Sequence, residues 1–151
     1  MAQILSAFSR DANGVPITSD GLIVSKAITY VAGTTGAVGA TTLFTVTGAV
    51  TVRVFGICGT SISGAATLEV GISGDTARIL AQIVNATDLL IDEIYLDATP
   101  TLKVEVLPAQ VIISNGQDII QTIGSTAITA GQITYYCIWT LLSSDGNVVA
   151  A

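Results

Sequence analysis

Histidine is absent from the 151 residues, and positive charge is scarce: five Lys plus Arg stand against eleven Asp plus Glu. Without imidazole the chain lacks the side chain that most often moves protons near neutral pH, which is also the commonest metal ligand. Nor does it carry a nucleophile elbow, a zinc-ligand spacing or a nucleotide loop, so an enzyme is not expected. The cations Arg10, Lys26, Arg53, Arg78 and Lys103 are scattered. A nucleic-acid binder gains most of its affinity from a basic cluster that neutralises phosphates. Neither nucleic acid nor an anionic membrane is therefore an expected partner. Two cysteines, Cys58 and Cys137, are too few for a disulfide framework and too far apart for a metal knuckle. No metal or other cofactor is implied.

Long apolar runs are missing too. Half of the residues are hydrophobic and 11% charged, yet no run approaches the roughly 18 residues that a membrane-spanning helix needs. The N-terminus has no basic region followed by a long apolar stretch, so no signal peptide is expected. This hydrophobicity must be hidden in a core and against other subunits.

What is present is alternation. In Gln132–Leu142 the odd positions Ile133, Tyr135, Cys137, Trp139 and Leu141 are bulky, whereas Gln132, Thr134, Tyr136, Ile138 and Thr140 are more polar. Alternate side chains of a strand point to opposite faces, so this stretch predicts the central strand of a β core. In Val50–Cys58, Val52, Val54 and Cys58 fall on one face, and Thr51, Arg53, Phe55 and Ile57 on the other. The predicted core residues are thus Val52, Val54, Cys58, Tyr135, Cys137 and Trp139. Both cysteines read as small buried hydrophobes, with a cross-sheet disulfide or a reactive thiol as competing readings.

Residues 1–21 read as an irregular arm, dense in turn formers (Asn13-Gly14, Val15-Pro16, Asp20-Gly21), and residues 22–151 as the β domain. Leu22–Val31 predicts a first strand and Ala32–Thr42 a loop. Leu43–Thr47 and Val50–Cys58 predict two strands around a tight Gly48-Ala49 turn. Ala66–Ile72 is a further strand. Thr76–Asn85 has helical spacing at Ile79, Leu80, Ile83 and Val84 and predicts a short helix capped by Asp75, with a strand as the alternative. Asn85-Ala86-Thr87 matches a glycosylation sequon, read as chance. Asp88, Asp92, Glu93 and Asp97 read as a solvated acidic edge or loop rather than a carboxylate pair or a calcium site. Thr101–Leu107, fenced by Pro100 and Pro108, predicts a strand with Leu102, Val104 and Val106 facing in. Ala109–Ser114 and Gln117–Ile123, joined by Asn115-Gly116, predict a hairpin.

Nine or ten short strands at spacings of about 8–12 residues indicate an all-β, single-domain, jelly-roll-like β-sandwich with at most one short helix. Its apolar surplus points to subunit contact.

Phe8–Leu22 and Tyr136–Val148, together with Leu43–Gly48, Leu68–Gly71 and Asp97–Pro100, resemble segments of small virion proteins of tailed bacteriophages. The resemblance implies a capsid decoration (cement) protein made in the host cytoplasm and located on the capsid surface. It also implies a homotrimer seated on the major capsid protein. The arm would then face the capsid or clasp a neighbour, with Ile4, Phe8, Val15 and Ile17 as apolar anchors and Arg10 and Asp11 as polar contacts. The competing expectation is a glycan-binding or host-surface module of a head fibre or tail, with Tyr30, Tyr95 and Tyr136 as its aromatic platform. A tail-tube or connector subunit is a third.

Overall fold

Residues 21–151 are described by a computed structural model. The arm, including Ile4, Phe8, Arg10, Asp11, Val15 and Ile17, lies outside the described residues but for Gly21. In chain order the strands are β1 (Leu22–Thr29), β2 (Gly39–Thr47), β3 (Val50–Ser63), β4 (Thr67–Ile72), β5 (Asp75–Ile83) and β6 (Glu93–Tyr95). They continue as β7 (Thr101–Leu102), β8 (Val111–Ile113), β9 (Ile119–Gly124), β10 (Ala130–Leu141) and β11 (Asn147–Ala150). A single 3-10 turn spans Ala86–Asp88. The strands form two antiparallel sheets, as the alternation predicts. One runs β1-β10-β3-β6-β7, with β8 also paired to β3; the other runs β11-β2-β9-β4-β5.

Strand β10 lies between β1 and β3 and pairs with both over most of its length: Cys137 is opposite Val24 on one side and Val54 on the other. Its inward row of Ile133, Tyr135, Cys137 and Trp139 meets the inward row of β3, Val50, Val52, Val54 and Cys58, and all eight are buried. Leu141, the last residue of the strand, departs from the pattern at 58% exposure although its cross-strand partner Val50 is fully buried. The second sheet contributes Leu43, Phe44, Val46, Leu68, Val70, Leu80, Ile119 and Ile123 from its inner face.

Two expected hairpins are instead crossings between the sheets. Strands β2 and β3 flank Gly48-Ala49 but belong to different sheets, as do β8 and β9 on either side of Asn115-Gly116. Gly48 and Gly116 do take the positive φ their sequences suggest, +62° and +60°. The N–H of Gly116 donates to the Gly48 carbonyl at 3.0 Å, so the two crossings are joined at one corner of the sandwich. A glycine reverses the chain in both cases. The inward residues on either side then decide that the strands face each other rather than lie edge to edge.

The helix expected over Thr76–Asn85 is strand β5. Its register on β4 runs Leu68↔Ile83, Val70↔Leu80, Ile72↔Asp75, so β5 carries extra residues at both steps. Bulges of this kind place inward residues, here Leu80 and Ile83, three apart, which imitates a helical face. Val84, part of the same apparent face, is exposed. A bulge in β2 likewise turns both Leu43 and Phe44 inward.

The strand expected over Thr101–Leu107 is two residues long, and Leu102, Val104 and Val106 point to solvent instead of the core. Lys103 has φ +67°, which ends the pairing with β6 and turns the remaining residues off the sheet.

Bulges leave carbonyls without ladder partners, and a side chain from the opposite sheet answers one of them. Tyr95, on β6, reaches across the core with its hydroxyl 3.0 Å from both the Leu68 and Ala81 carbonyls. Ala81 lies in the widened step between Leu80 and Ile83. Removing this donor leaves buried acceptors dry. Tyr95→Phe is expected to destabilise the fold by about 1–3 kcal/mol, and Leu68→Ala, which empties fully buried volume, by about 2–5 kcal/mol. Urea denaturation followed by Trp139 fluorescence measures both.

Candidate interaction surface

Two buried tyrosines and a buried glutamine bond to one another across the interior. The Tyr30 hydroxyl, just past β1, donates to Gln121 Oε1 of β9 at 2.8 Å. The Tyr135 hydroxyl lies 3.3 Å from that of Tyr30; since the Tyr30 proton is committed to Gln121, Tyr135 is the donor there. Gln121 is fully buried and its Nε2 has no protein partner. Burial, reinforced by the neighbouring Tyr135, pushes the Tyr30 hydroxyl well above the usual phenol range. Burial does the same to Tyr95 and Tyr135.

Both cysteines are free and buried. Burial pushes the Cys58 thiol up to about 11, against a partial lowering by the Thr60 backbone, and the Cys137 thiol up to about 12. A nucleophilic cysteine works as the thiolate, so both thiols are held in the unreactive form at neutral pH.

The acidic residues close turns. Glu93, only 9% exposed rather than solvated as expected, accepts from the Leu90 N–H at 2.7 Å. Asp92 has φ +68° and its N–H donates to the Cys58 carbonyl. Asp97 accepts from Thr99 N–H, and Asn85 Oδ1 caps the 3-10 turn through Thr87 N–H. Among the described residues no group of three His, Cys, Asp or Glu side chains is placed to hold a metal ion.

The three platform tyrosines are not brought together on the surface. Tyr30 and Tyr95 are buried because each crosses the core to a polar partner; Tyr136 alone is partly exposed, stacked on Phe55 with centroids 5.3 Å apart and planes 18° from parallel.

What the surface does present is apolar. On the outer face of the first sheet, Ile23, Ile138, Phe55, Tyr136, Ile57 and Ile94 are exposed or half-buried. Arg53 stands among them opposite Ile138, with its Nε shielded and unbonded. Glu105–Pro108 arches over Phe55, Ile94 and Leu96, leaving a gap of about 60 Å³. Val104 and Val106, 83% and 80% exposed, project from that segment. A groove of about 530 Å³ lies between β5 and β8, walled by Ile72, Ile79, Val111 and Ile113, with Arg78 at its rim. The alternation in Thr101–Leu107 is legible in the sequence, but nothing in the sequence signals the groove, which exists because bulged β5 and short β8 come from distant parts of the chain.

No protein-family model, curated protein or solved structure matches this chain. The surface has to be read from its own chemistry. Isolated exposed hydrophobes are ordinary; here apolar side chains recur across the outer face of the first sheet, interrupted by Ser25, Arg53 and Thr134, with the exposed Val104 and Val106 beside it.

Raising the pH ionises groups that the fold holds neutral. Their folded pKa values are raised, so the stability they contribute is intact below the unfolded values of 9.0 for thiol and 10.0 for phenol. It is lost as pH climbs through about 11 and 12, where Cys58 and Cys137 titrate. Thermal unfolding is expected at a steady midpoint up to pH about 9 and at falling midpoints above it. Tyrosinate absorbance from the buried phenols should appear together with unfolding rather than before it.

Proposed function

We propose that this chain is a structural protein of a tailed-bacteriophage virion, a capsid decoration protein that assembles with copies of itself, as a trimer, and seats on the major capsid protein at the capsid surface. The observation that carries the reading is the contrast between interior and exterior. Inside, the Tyr30, Tyr95 and Tyr135 hydroxyls bond across the core, and among the described residues few buried polar atoms, such as Gln121 Nε2 and Thr122 Oγ1, go without a partner. The exterior carries apolar side chains that no described residue covers. Sequence resemblance at Phe8–Leu22 and Tyr136–Val148 supplies the virion context.

We also read the sandwich as a jelly roll. Four strands of one sheet run β1-β10-β3-β6, and four of the other run β2-β9-β4-β5. Winding both sheets together from the two ends of the chain is the double Greek key of jelly rolls, an architecture used by viral capsid and lectin domains. Fold alone assigns no task; here it is compatible with the reading that the surface supports.

The mechanism is differential binding. A protein that binds the expanded shell and not its unexpanded precursor stabilises the expanded state by its preference between them. Each tenfold preference contributes about 1.4 kcal/mol per seated copy, and linked copies add avidity. The arm is the proposed capsid-facing element, with Ile4, Phe8, Val15 and Ile17 burying apolar area while Arg10 and Asp11 set register.

Purified protein mixed with undecorated expanded shells is expected to co-sediment with them and not with unexpanded precursors. Deleting residues 1–17 should abolish retention while the thermal midpoint stays within a few degrees. Failure of the full chain to bind any expanded shell would overturn the assignment, and full binding by the truncated chain would remove the arm from it.

A further inference from the structure

We propose that Thr101–Leu107 of one copy pairs as an extended strand in the groove between β5 and β8 of a second copy. The proposal rests on the self-association reading above and gives it a mechanism.

The donor segment has the sequence of a strand without a strand's partners. Leu102, Val104 and Val106 alternate with Lys103 and Glu105, and Pro100 and Pro108 bound the run. Only Thr101 and Leu102 pair within the chain, with β6. Beyond them Lys103 N–H still donates to the Asp92 carbonyl at 3.3 Å, and the bonds that follow are local: Val104 N–H to the Leu102 carbonyl, and Val106 N–H to Glu105's own carboxylate. Proline at both ends prevents extension of the segment, and a seven-residue strand at about 3.3 Å per residue is roughly 23 Å long.

Among the described residues the acceptor groove has two unpaired edges: β5 ends the second sheet and pairs only with β4, while β8 pairs only with β3. Unpaired edges offer backbone donors and acceptors to an incoming strand, and the pockets between them choose its side chains. Ile72, Ile79, Val111 and Ile113 supply apolar pockets suited to valines. Among the described residues Arg78 is the sole charged one lining the groove, and Glu105 is the sole anion of the segment. Glu105 is held ionised by the Val106 N–H and the Thr101 hydroxyl, both bonds within its own segment, so it arrives as a carboxylate.

The segment cannot fill its own groove. Leu107 is separated from Gln110, which lines the groove, by Pro108 and Ala109 alone. Glu105–Pro108 arches instead over Phe55, Ile94 and Leu96 on the outer face of the first sheet. A two-residue reversal needs positive φ at its first residue, which proline does not adopt and which neither Pro108 nor Ala109 shows, so the segment is not folded back alongside β8. Residues 13–20 are less suited, because Asn13-Gly14, Pro16 and Asp20 interrupt any alternation there, and residues 1–12 are the rival occupant that deleting residues 1–20 distinguishes. Each copy therefore offers a strand and receives one, a head-to-tail contact that closes into a ring if the rotation permits.

Analytical ultracentrifugation of the full chain tests the pairing, with circular dichroism and thermal melts as folding controls, since every substituted side chain is exposed. Wild type is expected to sediment as an oligomer, and Val104→Asp with Val106→Asp to reduce association at least tenfold. Glu105→Arg and Arg78→Glu alone should each weaken association about tenfold, and the two combined should restore it to within about threefold of wild type. Single reversals without effect, or a combined variant no better than either, would overturn the pairing. So would dissociation on deleting residues 1–20 while Val104→Asp with Val106→Asp stays assembled, which would make the N-terminal segment the occupant. An oligomer indifferent to all these changes defeats the pairing alone. A wild type monomeric at every concentration defeats the self-association reading as well.

Discussion

A buried strand must pair its backbone on both edges while hiding its side chains, and β10 is where this chain meets both demands most fully. Its ladder with β1 and β3 gathers the largest aromatic and aliphatic residues of an otherwise small-residue sequence into one row. The other sheet is built to cover that row. Where the covering sheet bulges, Tyr95 spans the gap to the exposed carbonyls, and the Tyr30–Gln121 bond ties the sheets at a second point. Hydrophobic burial is non-directional; these two polar links give the sandwich a fixed relative placement.

The strands themselves were largely legible in the sequence because half-buried strands leave a period-two trace, clearest in β3 and β10. The connections were not. Gly48 and Gly116 announce positive φ, but a reversal looks the same whether the next strand lies beside the last or across the core. Bulges in β5 rewrote period two as a spacing of three, which made a strand look helical. In Thr101–Leu107 the period was read correctly and its meaning was not, because alternation reports that one face wants cover without reporting who supplies it.

The surface was legible only in part. Composition alone required hydrophobicity beyond what one small core hides, and the exposed sheet face agrees with that. The aromatic residues were the least informative from sequence. A tyrosine suits a binding platform or a core equally well until the position of its hydroxyl is known, and Tyr30 and Tyr95 send theirs inward to partners far away in the chain.

The joined crossings at Gly48 and Gly116 bear on how the chain reaches this state. Leu22 is aligned with Trp139, and among neighbours in sequence only β4 with β5 and β6 with β7 are neighbours in a sheet. Neither layer can therefore be completed in advance of the other. Loop-closure entropy must be met before most pairings form, which places folding in the slow regime of milliseconds to seconds typical of such topologies. The same interlock slows escape from the finished state, so the lifetime of the fold is set by its unfolding barrier.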